Sequence, residues 1–273
     1  MMMLDAKSDT SKPNAAETRP GVALVTGGRR GIGRAICIDL ARRGFDIAFL
    51  DLEHDDDARQ TQAIVEDQGG KAMFVVADIA KTDSMPALVD EVVSHLGPIT
   101  CLVNNAGVQV SVRGDLLDVD EAEFDRLVNV NLRGTFFVTR AVARHMLASE
   151  TPAAHRSIIT ITSANAGLVS PEKGAYCISK AGLSMAVQNF AMRLAASGIR
   201  VHEIRPGLIE TDMTAEVRAA YSPRIEDGSI CPVRRWGKPD DIAGAIGALA
   251  SGLIPYSTGD IFHIGGGMQI ASL

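Results

Sequence analysis

The stretch "VALVTGGRRGIGRAICIDLARRGF" (22–45) carries the reading from which the rest follows. "VALVTGG" (22–28) is a compact apolar run ending in glycines, which predicts a strand. Beyond it, apolar or small residues at 32, 35, 36 and 40 mark one face of a helix, and Gly44 closes that helix. Gly27, Gly31 and Gly33 let the backbone turn tightly and come close to a pyrophosphate, which the helix N-terminus attracts. A glycine-rich turn alone is weak evidence. Its place, directly after the first strand and opening the first helix, makes it a candidate dinucleotide site.

Further along, the same alternation repeats. "DIAFLDL" (46–52), "AMFVVAD" (72–78), "ITCLVNNAG" (99–107), "SIITITS" (157–163), "IRVHEIRPG" (199–207) and "DIFHIG" (260–265) read as strands. Helical stretches lie between them, including a segment near 84–96, a long helix over about 121–149 and another over about 172–197. Continuous apolar strands separated by helices predict an α/β domain with a doubly wound parallel sheet of about seven strands, covered on both faces. A single domain spans 20–273, and 1–19 is expected to be a disordered polar tail. One connection, 208–237, is too long for a plain turn. Met213, Val217 and Tyr221 recur there every four residues, so it is read as a lid over a pocket; the bland alternative is a surface excursion.

The chain has 273 residues, 46% of them hydrophobic, and a net charge of −6. That balance argues against a nucleic-acid or anionic-membrane surface. Cys37, Cys101, Cys177 and Cys231 have no paired spacing, and the six histidines are scattered, so no metal site is expected. A cytoplasmic location is expected, with neither a signal peptide nor a membrane span.

Asp51 ends the second strand about 20 residues after the glycines, where a carboxylate accepts hydrogen bonds from an adenosine ribose. Glu53, Asp55, Asp56 and Asp57 surround it and would repel a 2′-phosphate. Arg30 pulls the other way, since it can pair with such a phosphate or with Asp51. The balance favours NAD over NADP.

"YCISK" (176–180) puts Tyr176 and Lys180 on one face of a helix. A tyrosine with pKa near ~10 is a poor base at neutral pH. A positive charge ~4 Å away, at an effective dielectric of ~20, is worth about 4 kcal/mol, or roughly 3 pK units. The pair is thus a candidate for moving an alcohol proton while a hydride leaves the same carbon. Ser163 follows the fifth strand at the sheet edge where ligands of such folds bind, and Asn131 lies within the long helix.

"TGGRRGIG" (26–33), "NNAG" (104–107), Asn131 in "NVNLRG", Ser163, "YCISK", "RPG" (205–207) and the closing "TGD…GGGM" follow one another in the order of a known family. Together they resemble the short-chain dehydrogenase/reductases over nearly everything after residue 20. The resemblance implies a Rossmann fold with Tyr176 as acid/base. Lys180 would tune the phenol and hold the nicotinamide ribose, Ser163 would orient the substrate oxygen, and Asn131 would anchor a relay water. Ile32 would join the glycine turn, and Asp78 and Ile79 would border the adenine. Asn105, Ala106, Gly107, Pro206 and Gly207 would line the cofactor, with Ile209 and Thr211 at its carboxamide end. It further implies a homotetramer and a small carbonyl or alcohol substrate. A 3-oxoacyl thioester on an acyl carrier protein is one candidate, and a sugar or polyol is the other. A cofactor-binding scaffold without turnover is the remote alternative. Thr100 and Gly265 stand where the family often has Asp, which bears on packing more than chemistry.

Overall fold

The computed structural model describes residues 20–150 and 155–271. The expected tail, 1–19, lies outside the described residues. Seven strands form one sheet: β1 (Val22–Thr26), β2 (Asp46–Asp51), β3 (Ala72–Val76), β4 (Ile99–Asn104), β5 (Arg156–Ile161), β6 (Ile199–Pro206) and β7 (Ile261–Ile264). They lie in the order β3-β2-β1-β4-β5-β6-β7, and each neighbouring pair is parallel. The order reverses between β1 and β4, so a crevice opens at their carboxyl ends.

Helices cover both faces because the strands are apolar on both. On one face, α1 (Gly31–Arg42), α2 (Asp56–Asp67) and α8 (Pro239–Ala250) bury Ile36, Leu40, Val65 and Ile246 against Val25, Phe49 and Ile204. On the other, α3 (Met85–Leu96), α5 (Thr135–Ala148) and α6 (Gly174–Leu194) bury Leu88, Val138, Met146 and Val187 against Leu24, Leu102 and Ile158. Each such side chain contributes about 1.5–3 kcal/mol on leaving water. Among the described residues no helix is long and apolar enough to cross a membrane.

Three differences from the sequence reading matter for the site. Most strands stop short of their expected carboxyl ends: Gly27, Gly28, Asn105, Ala106, Gly107 and Gly207 leave the sheet to build loops. The long helix breaks into α4 (Glu121–Leu127), a π-helical turn (Val128–Gly134) and α5. Gly134 lets the turn sit close to the loop after β3, since a Cβ there would lie 2.8 Å from the Ile79 carbonyl oxygen. The helix expected over 172–197 is α6 with a 3₁₀ turn at each end, Pro171–Lys173 and Ala195–Ser197.

The 208–237 connection is held shut at its base. Ile209 and Gly237 form a parallel bridge, and Glu210 N donates to Gly237 O at 2.8 Å. Between them lie a 3₁₀ helix (Asp212–Val217) and α7 (Arg218–Glu226). The two departures from the family pattern are packing features. Thr100 Oγ1 donates to Pro20 O at 2.8 Å, and a Cβ at Gly265 would lie 3.2 Å from Gly207 Cα.

Candidate active site

The glycine turn is fixed from both sides. Gly27 has φ +67° and its N–H donates to Leu50 O at 2.7 Å; a Cβ on Gly33 would lie 1.9 Å from Gly27 O. Only glycine allows that approach of helix to turn. Asn105 Nδ2 donates to Thr26 O (3.0 Å) and Gly27 O (2.8 Å), while Thr26 Oγ1 accepts from the backbone N–H groups of Asn105 and Ala106. The turn after β1 and the loop after β4 are therefore one unit.

A cleft of about 640 Å³ runs from this turn across the sheet edge to Tyr176. Gly27, Arg30, Gly31, Ile32, Gly33, Asp51, Asp78, Ile79, Asn105, Ala106, Gly107, Ser163, Tyr176, Lys180, Pro206, Gly207, Ile209 and Thr211 all line it. Met213, Val217 and Tyr221 line it as well. The expected pairing of Arg30 with Asp51 does not occur. Arg30 Nη1 meets Asp212 at 3.2 Å, and Arg29 turns instead toward Asp51, Glu53 and Asp55.

Asn131 lies behind the cleft, fully buried. Its Oδ1 accepts from Val108 N (2.8 Å), and its Nδ2 donates to Val108 O (2.9 Å) and to Ser179 Oγ (3.1 Å). A Cβ on Gly107 would lie 3.1 Å from Asn131 Oδ1 and 3.2 Å from Lys180 Nζ, so both side chains close in on the space that glycine leaves open. Lys180 Nζ donates to Ile161 O at 3.3 Å and lies 5.8 Å from the centre of the Tyr176 ring. Burial brings the Lys180 ammonium down to about 8, with the Glu203 carboxylate opposing that fall. Burial pushes the Tyr176 phenol up, and the Ser163 hydroxyl offsets part of this. Lys180 is not among the influences that set the direction of the phenol, so burial and not the expected easing by the ammonium decides it here.

A family model described as Enoyl-(Acyl carrier protein) reductase matches residues 27–269. The chain belongs to the short-chain dehydrogenase/reductase family. This dehydrogenase is 34% identical over 250 residues to a 3-oxoacyl-[acyl-carrier-protein] reductase of Staphylococcus epidermidis, covering 91% of the chain and 98% of that protein. The crystal structure of a 3-oxoacyl-[acyl-carrier protein] reductase from Brucella melitensis in complex with NAD is 45% identical, with a TM-score of 0.90 over 94% of the chain and 100% of the other. A gluconate 5-dehydrogenase from Burkholderia cenocepacia in complex with NADP and tartrate is 32% identical, with a TM-score of 0.82 over 92% and 96%. The chain is an NAD(P)-dependent oxidoreductase.

The residues of the dehydrogenase fit such a dinucleotide. Arg30 precedes α1 without capping it by its side chain, so the first N–H groups of the helix face the cleft without a side-chain acceptor. Sequence reasoning missed two sets of charges. Glu203 has no exposed surface; it accepts from Thr162 Oγ1 (2.6 Å), Ser184 Oγ (2.7 Å) and Arg205 Nε (2.6 Å). Arg205 also donates to Ser184 Oγ at 2.8 Å, tying β6 to α6 beneath Lys180. The signal was two charges in "HEIRPG", within a strand that should be apolar. Arg113 and Lys173, at the far end of the cleft, were missed because neither belongs to a local motif.

Proposed function

We propose that the enzyme interconverts a secondary alcohol and a ketone with Tyr176 as the acid/base. The observation that carries this reading is the meeting of Tyr176, Lys180 and Ser163 in the cleft that begins at the glycine turn. When bound, the dinucleotide supplies the hydride acceptor or donor and, in its oxidised form, a positive charge within the cleft. Tyr176 takes the alcohol proton on its phenolate oxygen as the carbinol carbon loses hydride, and in reverse it protonates the carbonyl oxygen. Ser163 orients that oxygen by hydrogen bonding, and Lys180 restrains the nicotinamide ribose. Asn131 holds the loop carrying Gly107 and Val108 in place and, on this reading, anchors a relay water toward Lys180.

NAD is the preferred dinucleotide on this reading. Asp51 accepts from Leu52 N at 2.8 Å and faces Arg29, whose charge is already shared with Glu53 and Asp55. A 2′-phosphate there would meet three carboxylates and an engaged guanidinium. The 208–237 segment, pinned at its base, serves as the lid, with Met213, Val217 and Tyr221 as its apolar underside. The working assembly is a homotetramer in the cytoplasm. Phe136 of α5 and Ile178, Met185 and Met192 of α6 are exposed apolar side chains that an interface would cover, and all four cysteines are free thiols.

The relatives support a 3-oxoacyl thioester as substrate, and the gluconate 5-dehydrogenase supports a sugar-derived alcohol. The test is turnover with each cofactor, using a reduced cofactor deuterated at the transferring position. Deuterium should arrive at the carbinol carbon, and NADH should outperform NADPH at least about tenfold, roughly 1.4 kcal/mol of discrimination. Tenfold better turnover with NADPH would overturn the cofactor assignment, and no label in any product would overturn the reaction.

A further inference from the structure

We infer that Lys173 and Arg113 form an anion-binding rim at the substrate end of the cleft, and that the preferred substrate is a hydroxy or oxo acid bearing a carboxylate near the reacting carbon. This rests on the alcohol/ketone reading and narrows it. Lys173 lies three residues before Tyr176, in the 3₁₀ turn Pro171–Lys173 that leads into α6. Its Nζ stands 5.6 Å from the centre of the Tyr176 ring, inside the cleft, and among the described residues it has no ion-pair partner. Arg113 approaches from the loop after β4, and Gly114 N donates to Glu172 O at 3.2 Å, so a backbone bond holds the two segments together. Burial lowers the Lys173 ammonium, and the neighbouring Arg113 lowers it further, as befits two cations sharing one end of a pocket.

The charges around this end leave room for one anion. The carboxylates that line the cleft are Asp51, Asp78 and Asp212, and each is occupied at the dinucleotide end. Asp51 faces Arg29, Asp78 accepts from Ala80 N at 2.9 Å, and Asp212 pairs with Arg30. At the substrate end Glu216 on the lid accepts from Arg113 Nε through its Oε1 at 3.1 Å. Glu172 is exposed; its carboxylate opposes part of the lowering of Lys173, and its carbonyl accepts from Gly114 N. With Arg113 paired to Glu216 and Glu172 exposed to solvent, Lys173 is the half-buried cation left without an ion pair inside the cleft, which suits a monocarboxylate better than a phosphate dianion. An uncharged acyl thioester would leave Lys173 half-buried without a counter-ion, a penalty that a carboxylate removes.

The experiment compares matched pairs with NAD: D-gluconate against sorbitol, and 3-hydroxybutanoate against its N-acetylcysteamine thioester, with 6-phosphogluconate as the phosphate arm. The acid of at least one pair should exceed its neutral partner in kcat/KM by at least about tenfold, the scale of one charge-assisted hydrogen bond. Lys173→Met should raise KM for that acid at least about tenfold more than for the neutral compound, and Lys173→Arg should keep the preference. Calorimetry gives a readout without turnover: NADH-loaded enzyme should bind gluconate, and Lys173→Met should weaken this about tenfold. Neutral partners equal to or better than their acids, preference for the phosphate, or unchanged gluconate binding in Lys173→Met would each overturn the rim. Turnover of neutral alcohols that vanishes in Tyr176→Phe would leave the oxidoreductase reading standing while the acid preference fell.

Discussion

Glu203 is a carboxylate with no exposed surface that acts on the Lys180 ammonium, and its partners decide what happens when it changes. In Glu203→Gln the charge that opposes the fall of the Lys180 ammonium is gone, so that ammonium drops further below about 8. The alkaline limb of kcat/KM for carbonyl reduction, where the lysine charge is lost, should therefore move to lower pH. The same change leaves the half-buried Arg205 without its carboxylate, a loss that a thermal melt will register. Lys180 itself has a linked signature. Its folded value, about 8, lies below the unfolded value of about 10.4, so between them the folded chain binds fewer protons. Its contribution to stability consequently rises with pH across that window. Denaturant titrations at the two ends should show the wild type gaining stability relative to Lys180→Met; no change in the difference would contradict the burial of a charged lysine. Tyr176, Lys180 and Ser163 were legible because each belongs to a local spacing. Arg29 and Arg30 were not separable, since which of two adjacent arginines faces Asp51 depends on the backbone of the turn. Of the missed charges, Glu203 and Arg205 stood two apart in one strand, β6, whereas Arg113 and Lys173 come together only in the folded cleft.

At the scale of elements, the π-helical turn at Val128–Gly134 is what periodicity could not show. Apolar spacing over 121–149 is satisfied by one continuous helix, whereas the π-helical turn carries Asn131, which bonds both backbone groups of Val108 behind the cleft. Asn131→Ala leaves that N–H and C=O without side-chain partners, at a cost of about 1–3 kcal/mol. Melting temperature should fall, and kcat should fall with it because the loop also sets Gly107 against Lys180; an unchanged kcat would assign Asn131 to stability alone. Strand positions were legible from apolar runs, yet their carboxyl ends were overrun in the expectation. Residues such as Asn105 and Gly107 leave the ladder to serve the cleft, and hydropathy does not distinguish a last strand residue from a first loop residue.

For the whole molecule, the parallel sheet and its doubly wound cover followed directly from the alternation of continuous apolar strands with helices. The assembly is a different matter. Met185 and Met192 are exposed on α6, and apolar residues on several faces of one helix are the mark of a helix covered twice. Met185→Glu combined with Met192→Glu should shift the sedimentation of the enzyme toward smaller species, while the isolated fold keeps its melting profile. A tetramer that survives both changes would place the interface elsewhere.

The central claim is that one phenol moves the proton at the end of the dinucleotide cleft. Tyr176→Phe keeps the ring and its packing, and removes only the hydroxyl. Measured side by side, NADH binding by fluorescence should match the wild type, and kcat should drop by about 10²–10⁴-fold, the usual contribution of a general acid/base. Turnover at wild-type rates in that variant, with NADH bound, would contradict the account.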